Sequence, residues 1–362
     1  MVLESGVVFR IPETTTSWPW PRKINPHYEE VKAESEAWFR SFEAFTPEAQ
    51  RAFDLCDYSL LASLSHTTAT KEQLRTACDL MNLFFIFDEY TDNETPDVVR
   101  QYAEIVKDAL RDPFKPRPDN EVVLGAVAQF WALGIKTSSI TSQKRVVETF
   151  GRYMDSVVSQ SEDRQQCYSR NVEDYLKIRR LTIGTDPSYA MLELGYDLPN
   201  EVFYHPTVVN LRRLACEMIM LDNVRPSAVS RVGTLNSPPD LASYNKEQAS
   251  EEFPHNILVC VMNERKVDLA SALLWVEDFH HSISAKFLRL WEEIPTWGPG
   301  IDDIASLYLE GIANSVRSND CWNFESVRYF GANGKAIQQH RMVTLMPKRL
   351  TMDQPLLIHA QQ

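Results

Sequence analysis

Apolar positions recur at spacings of three and four over most of the 362 residues, the mark of amphipathic helices. The pattern predicts helices over about 28–42, 46–61, 70–93, 95–110, 122–133, 142–166, 172–184, 208–220, 240–263, 266–293 and 302–329. Thr46-Pro47 and Thr95-Pro96 each place a capping hydroxyl before a proline whose fixed φ suits the first helical turn. Convincing alternating strands are few, so the expected fold class is all-α. Residues 1–25 lack periodicity, and Trp18-Pro19-Trp20-Pro21 predicts a strap packed on the body. Residues 26–335 read as one helical domain and 336–362 as a tail, with no internal repeat.

The stretch from 70 to 93 organises the rest. Leu74, Cys78, Met81 and Phe85 share one helical stripe, and Asp88 and Asp92 continue it. An apolar face thus ends in two carboxylates one turn apart, with Glu89 beside them. Carboxylates on a core face are costly unless their charge is compensated. A divalent cation does this, and Mg2+ takes one or two carboxylates together with phosphate oxygens. The plainer reading is a helix end that emerges into solvent.

Hydrophobic residues make up 44% of the chain, enough for a sizeable core. The net charge of −13 argues against nucleic acid as a partner, although a bound cation can locally reverse the field for an anionic ligand. Cys56, Cys78, Cys167, Cys216, Cys260 and Cys321 are scattered with no Cys-x-x-Cys pair, which predicts reduced core thiols. No basic region precedes an apolar run, and no apolar run is long enough for a membrane span. A soluble cytoplasmic protein is expected, with its oligomeric state open.

Three further groups change the reading of the opening stretch. Ser243 and Glu247 lie four apart on one helical face and offer hard oxygen ligands, with Lys246 nearby. Arg328-Tyr329 brings forked donors that match phosphate geometry, and a hydroxyl. Arg179-Arg180 precedes Gly184. Each alone is an ordinary polar surface. In this order, however, the Asp-Glu-x-x-Asp helix end, the Ser-x-x-x-Glu helix and the late Arg-Tyr resemble a fungal, basidiomycete-type class I terpene synthase. The Arg-Arg-x-Thr-x-Gly stretch, the Trp18-Pro19-Trp20-Pro21 run and the segment from Trp322 to Gly331 extend the resemblance over about residues 15–335.

The resemblance implies an all-α bundle around a deep cavity, and a sesquiterpene synthase that ionises and cyclises farnesyl diphosphate. It implies three Mg2+ ions. Asp88 would be the main ligand of the first metal helix, with Asp92 and Glu89 contributing less directly. Ser243 and Glu247 would hold another ion. Arg328, Tyr329 and Lys246 would grip the diphosphate. Arg180 would sense it, with Arg179 as the alternative, and the Gly184 carbonyl would face the forming cation. Phe84, Phe85 and Trp322 are candidate cavity liners, because aromatic faces stabilise cations without acting as strong bases; plain core packing is the other reading of each. A chain-elongating prenyl transferase, disfavoured by Ser243 and Glu247 in place of a second aspartate-rich motif, and a homologue that has lost its activity are the rivals.

The chain departs from the family pattern at one point. An asparagine is expected four residues before Ser243, but Pro239 stands there. Joining Asn223 to Asp240 would recreate the full Asn-Asp-x-x-Ser-x-x-x-Glu motif. Residues 224–239 carry three prolines and a glycine and read as an insertion, natural or from a splicing or gene-model error. Asn223 is therefore the expected ligand, with Asn236 as a substitute. The chain as written should cyclise weakly or not at all, and deleting 224–239 should restore activity. Incubating both proteins with farnesyl diphosphate and Mg2+ and analysing the volatiles checks this; full activity unchanged by the deletion would sink the idea.

Overall fold

A computed structural model of the chain describes residues 8–166, 168, 170–223 and 256–344. Its helices are α1 (Tyr28–Arg40), α2 (Pro47–Leu55), α3 (Tyr58–Ser65), α4 (Lys71–Thr91), α5 (Pro96–Arg111), α6 (Leu124–Ala128), α7 (Trp131–Thr137), α8 (Ile140–Gln165) and α9 (Val172–Thr182). They continue as α10 (Thr185–Met191), α11 (Asn200–Phe203), α12 (Pro206–Asp222), α13 (Ile257–Arg265), α14 (Leu269–Glu292), α15 (Ile301–Glu325), α16 (Val327–Phe330) and α17 (Gly334–His340). A short ribbon, β1 (Val8–Arg10) and β2 (Met342–Thr344), joins the two ends of the described chain antiparallel, with Phe9 opposite Val343.

Helix α4 is the axis of the bundle. Thr70 and Gln73 form a reciprocal capping box at its start. Beyond that turn it is buried on nearly every side, as a helix surrounded by others is, and it carries Asp79, Asn82 and Glu89 among its buried apolar residues. It packs on α1, α3, α5, α6 and α7. Helices α3, α8, α10, α12 and α15 complete the wall of a central cavity, through the pairs α3–α15, α12–α15, α10–α12 and α8–α10. Asp79 is fully buried on α4 and is held by Arg75 Nε at 2.9 Å and by the Ser35 hydroxyl at 2.6 Å.

The periodicity runs through three breaks that the backbone makes. The segment expected as one helix over 46–61 splits where Asp57 adopts φ 49° and caps α3 by accepting the Leu60 N–H. An aspartate tolerates this left-handed geometry, which hydropathy does not register. The segment expected over 122–133 becomes α6 and α7. The last long helix ends at Glu325; Ser326 is extended, and Arg328-Tyr329 sit on the separate short helix α16. Of the residues beyond Ala332, read as an aperiodic tail, those described form α17 and β2. The helix expected over 240–263 lies outside the described residues up to 255, and α13 covers its end.

The described part of the first segment, from Val8, packs on the body. The Trp18 indole donates to the Ala313 carbonyl at 3.0 Å, and the Arg317 guanidinium donates to the carbonyls of Thr15, Trp18 and Trp20. Trp18 and Trp20 also meet Phe287 and Trp291 of α14. Within the bundle, buried Arg145 on α8 pairs with buried Glu193 and donates to Asn200 Oδ1 at 2.7 Å. Removing one partner of a buried pair leaves a buried charge uncompensated. Arg145→Met should therefore lower the unfolding free energy by about 3–5 kcal/mol, read as a shift in the urea midpoint, and Arg145→Met/Glu193→Met should recover much of the loss.

Candidate active site

A cavity of about 660 Å³ opens between these helices. Its wall gathers most of the described residues that the sequence pattern singled out. Met81, Phe85, Asp88 and Asp92 line it in sequence order, so the stripe that begins in the core with Leu74 and Cys78 continues along the cavity to its mouth. Asp88 lies in the last turn of α4, and Asp92 caps that helix with its N–H on the Asp88 carbonyl at 3.0 Å. Arg164 of α8 donates to the Thr91 carbonyl at 2.9 Å and fixes the helix end from the other side. Glu89 is buried and does not line the cavity. Its charge instead acts on Arg328.

Asn223 caps α12 at the same cavity, and its side-chain oxygen accepts from Asn323 Nδ2 at 3.4 Å. Next to it, Asp222 accepts from the strap hydroxyl of Thr14. Two carboxylates and an amide oxygen therefore face one space, a donor set that fits a hard divalent cation. Among the described residues no three acidic, histidine or cysteine side chains cluster closely enough to hold a metal by themselves. Ser243, Lys246, Glu247 and Asn236 fall outside the described residues, so the second half of the expected ligand set does too.

The cationic side of the site is set by α9 and α16. Arg328 donates to the Tyr58 hydroxyl at 2.6 Å and lies over the Phe85 ring at 4.7 Å. Burial pulls its pKa down, but the neighbouring Tyr58, Tyr329, Cys56 and Glu89 more than offset this and hold it well above the ordinary value. Tyr329 is buried beside it and also lines the cavity. Of the two adjacent arginines, Arg179 is buried on the cavity wall. Desolvation lowers its pKa, with the Asp88 charge opposing. Arg180, the sensor that the family resemblance implies, does not line the cavity; its guanidinium meets Glu217 of α12 at 2.8 Å. Successive residues on a helix point about 100° apart, and here that turn puts Arg179 toward the cavity and Arg180 toward α12.

Gly184 breaks α9 from α10 with φ 77°, and a β-carbon there would press on the Phe84 ring at 3.2 Å. The carbonyl expected to face the forming cation is engaged by a neighbouring side chain. It accepts from the Ser188 hydroxyl at 2.8 Å, and Gly184 is absent from the wall.

Phe84, Phe85 and Trp322 all line the cavity, joined by Tyr153, whose hydroxyl burial and the Asp88 charge keep protonated. Trp322 is anchored through its indole N–H to the carbonyls of Cys56 at 2.9 Å and Asp57 at 3.0 Å. Tyr153, Tyr58, Arg164 and Asn323 were not singled out from the sequence; each is an ordinary helical residue until the neighbouring helix is known. The described cysteines are all free and buried. No helix among the described residues is long and apolar enough to cross a membrane.

Comparison with known proteins agrees with this geometry. The family model described as "Terpene synthase family 2, C-terminal metal binding" matches residues 79–285, more than half of the chain. Sesquiterpene synthase 14 of Postia placenta is 49% identical over 93% of this chain and 92% of its own length. A Delta(6)-protoilludene synthase of Armillaria gallica is 45% identical over 94% of both. In fold, the chain is similar to germacradien-4-ol synthase from Streptomyces citricolor (TM-score 0.70, 20% identity, 84% of this chain and 98% of that one). It is equally similar to an α-eudesmol synthase (TM-score 0.72, 18% identity, 85% and 98%). With acidic, cationic and aromatic groups converging on one cavity in an all-α bundle, and with relatives nearly half identical over almost its whole length, this chain belongs to the terpene synthase family, the enzymes that cyclise terpenes.

Proposed function

We propose that the protein ionises farnesyl diphosphate and cyclises it to a sesquiterpene with release of diphosphate, using Mg2+, an activity that residues 224–239 lower in the chain as written. The observation that carries this reading is one cavity with Asp88, Asp92, Asn223, Arg179 and Arg328 on the same wall as Phe84, Phe85, Tyr153 and Trp322. Its volume falls in the range of cavities that enclose a small organic ligand. The relatives named as sesquiterpene and protoilludene synthases support the substrate class.

Each group then has a task that its chemistry suits. Asp88, Asp92 and Asn223, with Ser243 and Glu247, would hold the magnesium ions, three by the family pattern. Bound divalent ions supply positive charge where the departing diphosphate develops negative charge. Arg328 and Tyr329 bind the diphosphate, together with Lys246; the Tyr58 hydroxyl and the Phe85 ring fix Arg328 in advance, so that little reorganisation is needed when charge develops. Arg179 senses the diphosphate from the opposite helix, because it lines the cavity whereas Arg180 is held by Glu217. The aromatic faces of Phe84, Phe85 and Trp322 stabilise the migrating cation, and their apolar bulk keeps out water that would quench it.

Two measurements test the assignment. Asp88→Asn should lower kcat/KM for diphosphate release by about 100-fold or more, the size of loss seen when one charge-stabilising group is removed. Arg179→Met should cost a similar factor, whereas Arg180→Met should lower the melting temperature and leave a larger share of kcat/KM. A coupled assay for diphosphate, run beside thermal melts, reads both; a larger catalytic loss for Arg180→Met than for Arg179→Met would reverse the roles of the two arginines.

A further inference from the structure

The floor of the cavity holds a group with no part in binding the diphosphate. Helix α3 descends the wall from Tyr58, which meets Arg328, through Leu61, Ala62 and Ser65 to its cap at His66. Eight residues of helical rise amount to about 12 Å, so His66 stands well away from the diphosphate grip. It is only 8% exposed. Its N–H donates to the Ala62 carbonyl at 2.8 Å, and its carbonyl accepts from Asn25 of the strap at 2.7 Å. The backbone is thereby pinned, while the imidazole makes no hydrogen bond or ion pair with any described residue. The carboxylates among the described wall residues are Asp88, Asp92 and Glu94, all at or just beyond the C-terminal end of α4. His66 is the one imidazole on that described wall.

A second cavity of about 190 Å³ lies behind it. Ser65, His66 and Leu192 form the partition, since these three line both spaces. The far wall carries Thr67, Thr68, Gln73 and Asn314 and reaches the exposed Glu310 of α15. His66 therefore stands between an aromatic reaction chamber and a smaller space, lined by these polar groups together with Met191, Leu194 and Leu307, that reaches the exposed Glu310.

We propose that His66 accepts the terminating proton from the cyclised cation and passes it to water through the second cavity. This rests on the proposed cyclase function and adds the identity of the base. In the step, a C–H bond beside the cationic carbon breaks. Its electron pair becomes the new C=C bond, and the proton bonds to the imidazole lone pair. The imidazolium then loses the proton to water in the second cavity and returns to the neutral form. Burial pushes the imidazole down to about 4, so it is neutral near pH 7 and releases a captured proton readily. A carbocation's neighbouring C–H is acidic enough to protonate even so weak a base. The position matters as much as the basicity: a base far from the diphosphate meets the cation only after the chain has folded back, and does not quench it at the start.

The experiment uses the full chain and, in parallel, its 224–239 deletion, with farnesyl diphosphate, Mg2+ and the variants His66→Phe and His66→Asn. Products are resolved by gas chromatography and counted per diphosphate released, so the readout is independent of the rate of ionisation. The main parental hydrocarbon should fall roughly tenfold or more per diphosphate released, less than the ~100-fold or more that a positioned base contributes to a rate, because water can also take the proton. Other alkenes or water-quenched alcohols should rise in its place. If both variants give the parental hydrocarbon in its parental share, the inference is overturned while the cyclase reading stands. If neither parent chain releases diphosphate from farnesyl diphosphate, the cyclase reading falls and this inference with it.

Discussion

Helix α4 must be buried and must also end in charge. Nearly every residue from Leu74 to Phe87 is enclosed by neighbouring helices, which makes α4 the element that the rest pack around. Its end is less enclosed: Asp88 and Asp92 are half-buried, and Asn93 and Thr95 beyond them are exposed. The fold meets that constraint by opening a cavity where the carboxylates of Asp88 and Asp92 emerge. Their desolvation is tolerable because arginines gather at the same space: Arg164 on the helix end, Arg179 across the cavity, and Arg328 braced by Tyr58. The site is thus a consequence of how the bundle handles the end of its central helix.

The same economy links the strap to the site. Residues 11–25 run along the outside of α14 and α15, yet their polar groups reach inward. Thr14 meets Asp222, one residue before Asn223, and Thr15 donates to Asp320 at 2.9 Å. Asn25 ties the strap to the carbonyl of His66. Thr14, Thr15 and Asn25 are all buried, so these hydrogen bonds hold more firmly than they would at the surface, and the tryptophans add apolar contact with α14. A segment without periodicity therefore touches both the candidate metal end and the floor of the cavity.

The aromatic lining shows how core and site share material. Phe84 stacks on Phe150 and has room for its ring because residue 184 carries no β-carbon, while Phe85 stacks on Tyr58 at 3.8 Å between centroids. These rings pack like any core and still present a face to the cavity. That dual use explains why composition alone could not separate liners from core.

What the sequence by itself determined is what depends on near neighbours. The all-α class, the capped start of α4, and the placing of Asp88 and Asp92 on the stripe of Met81 and Phe85 follow from spacings within one helix, where geometry is nearly invariant. The tertiary structure alone decided which of two adjacent arginines faces the cavity. It also bonded the Gly184 carbonyl to Ser188, turned Arg328-Tyr329 onto a separate short helix, and set His66 between two cavities. The physical reason is rotation. Adjacent residues of equal polarity are indistinguishable in a hydropathy pattern, and a step of one position turns a side chain by about 100°. The choice between them is made by partners distant in the chain, Glu217 for Arg180 and Tyr58 for Arg328, whose nearness exists only once the helices have packed.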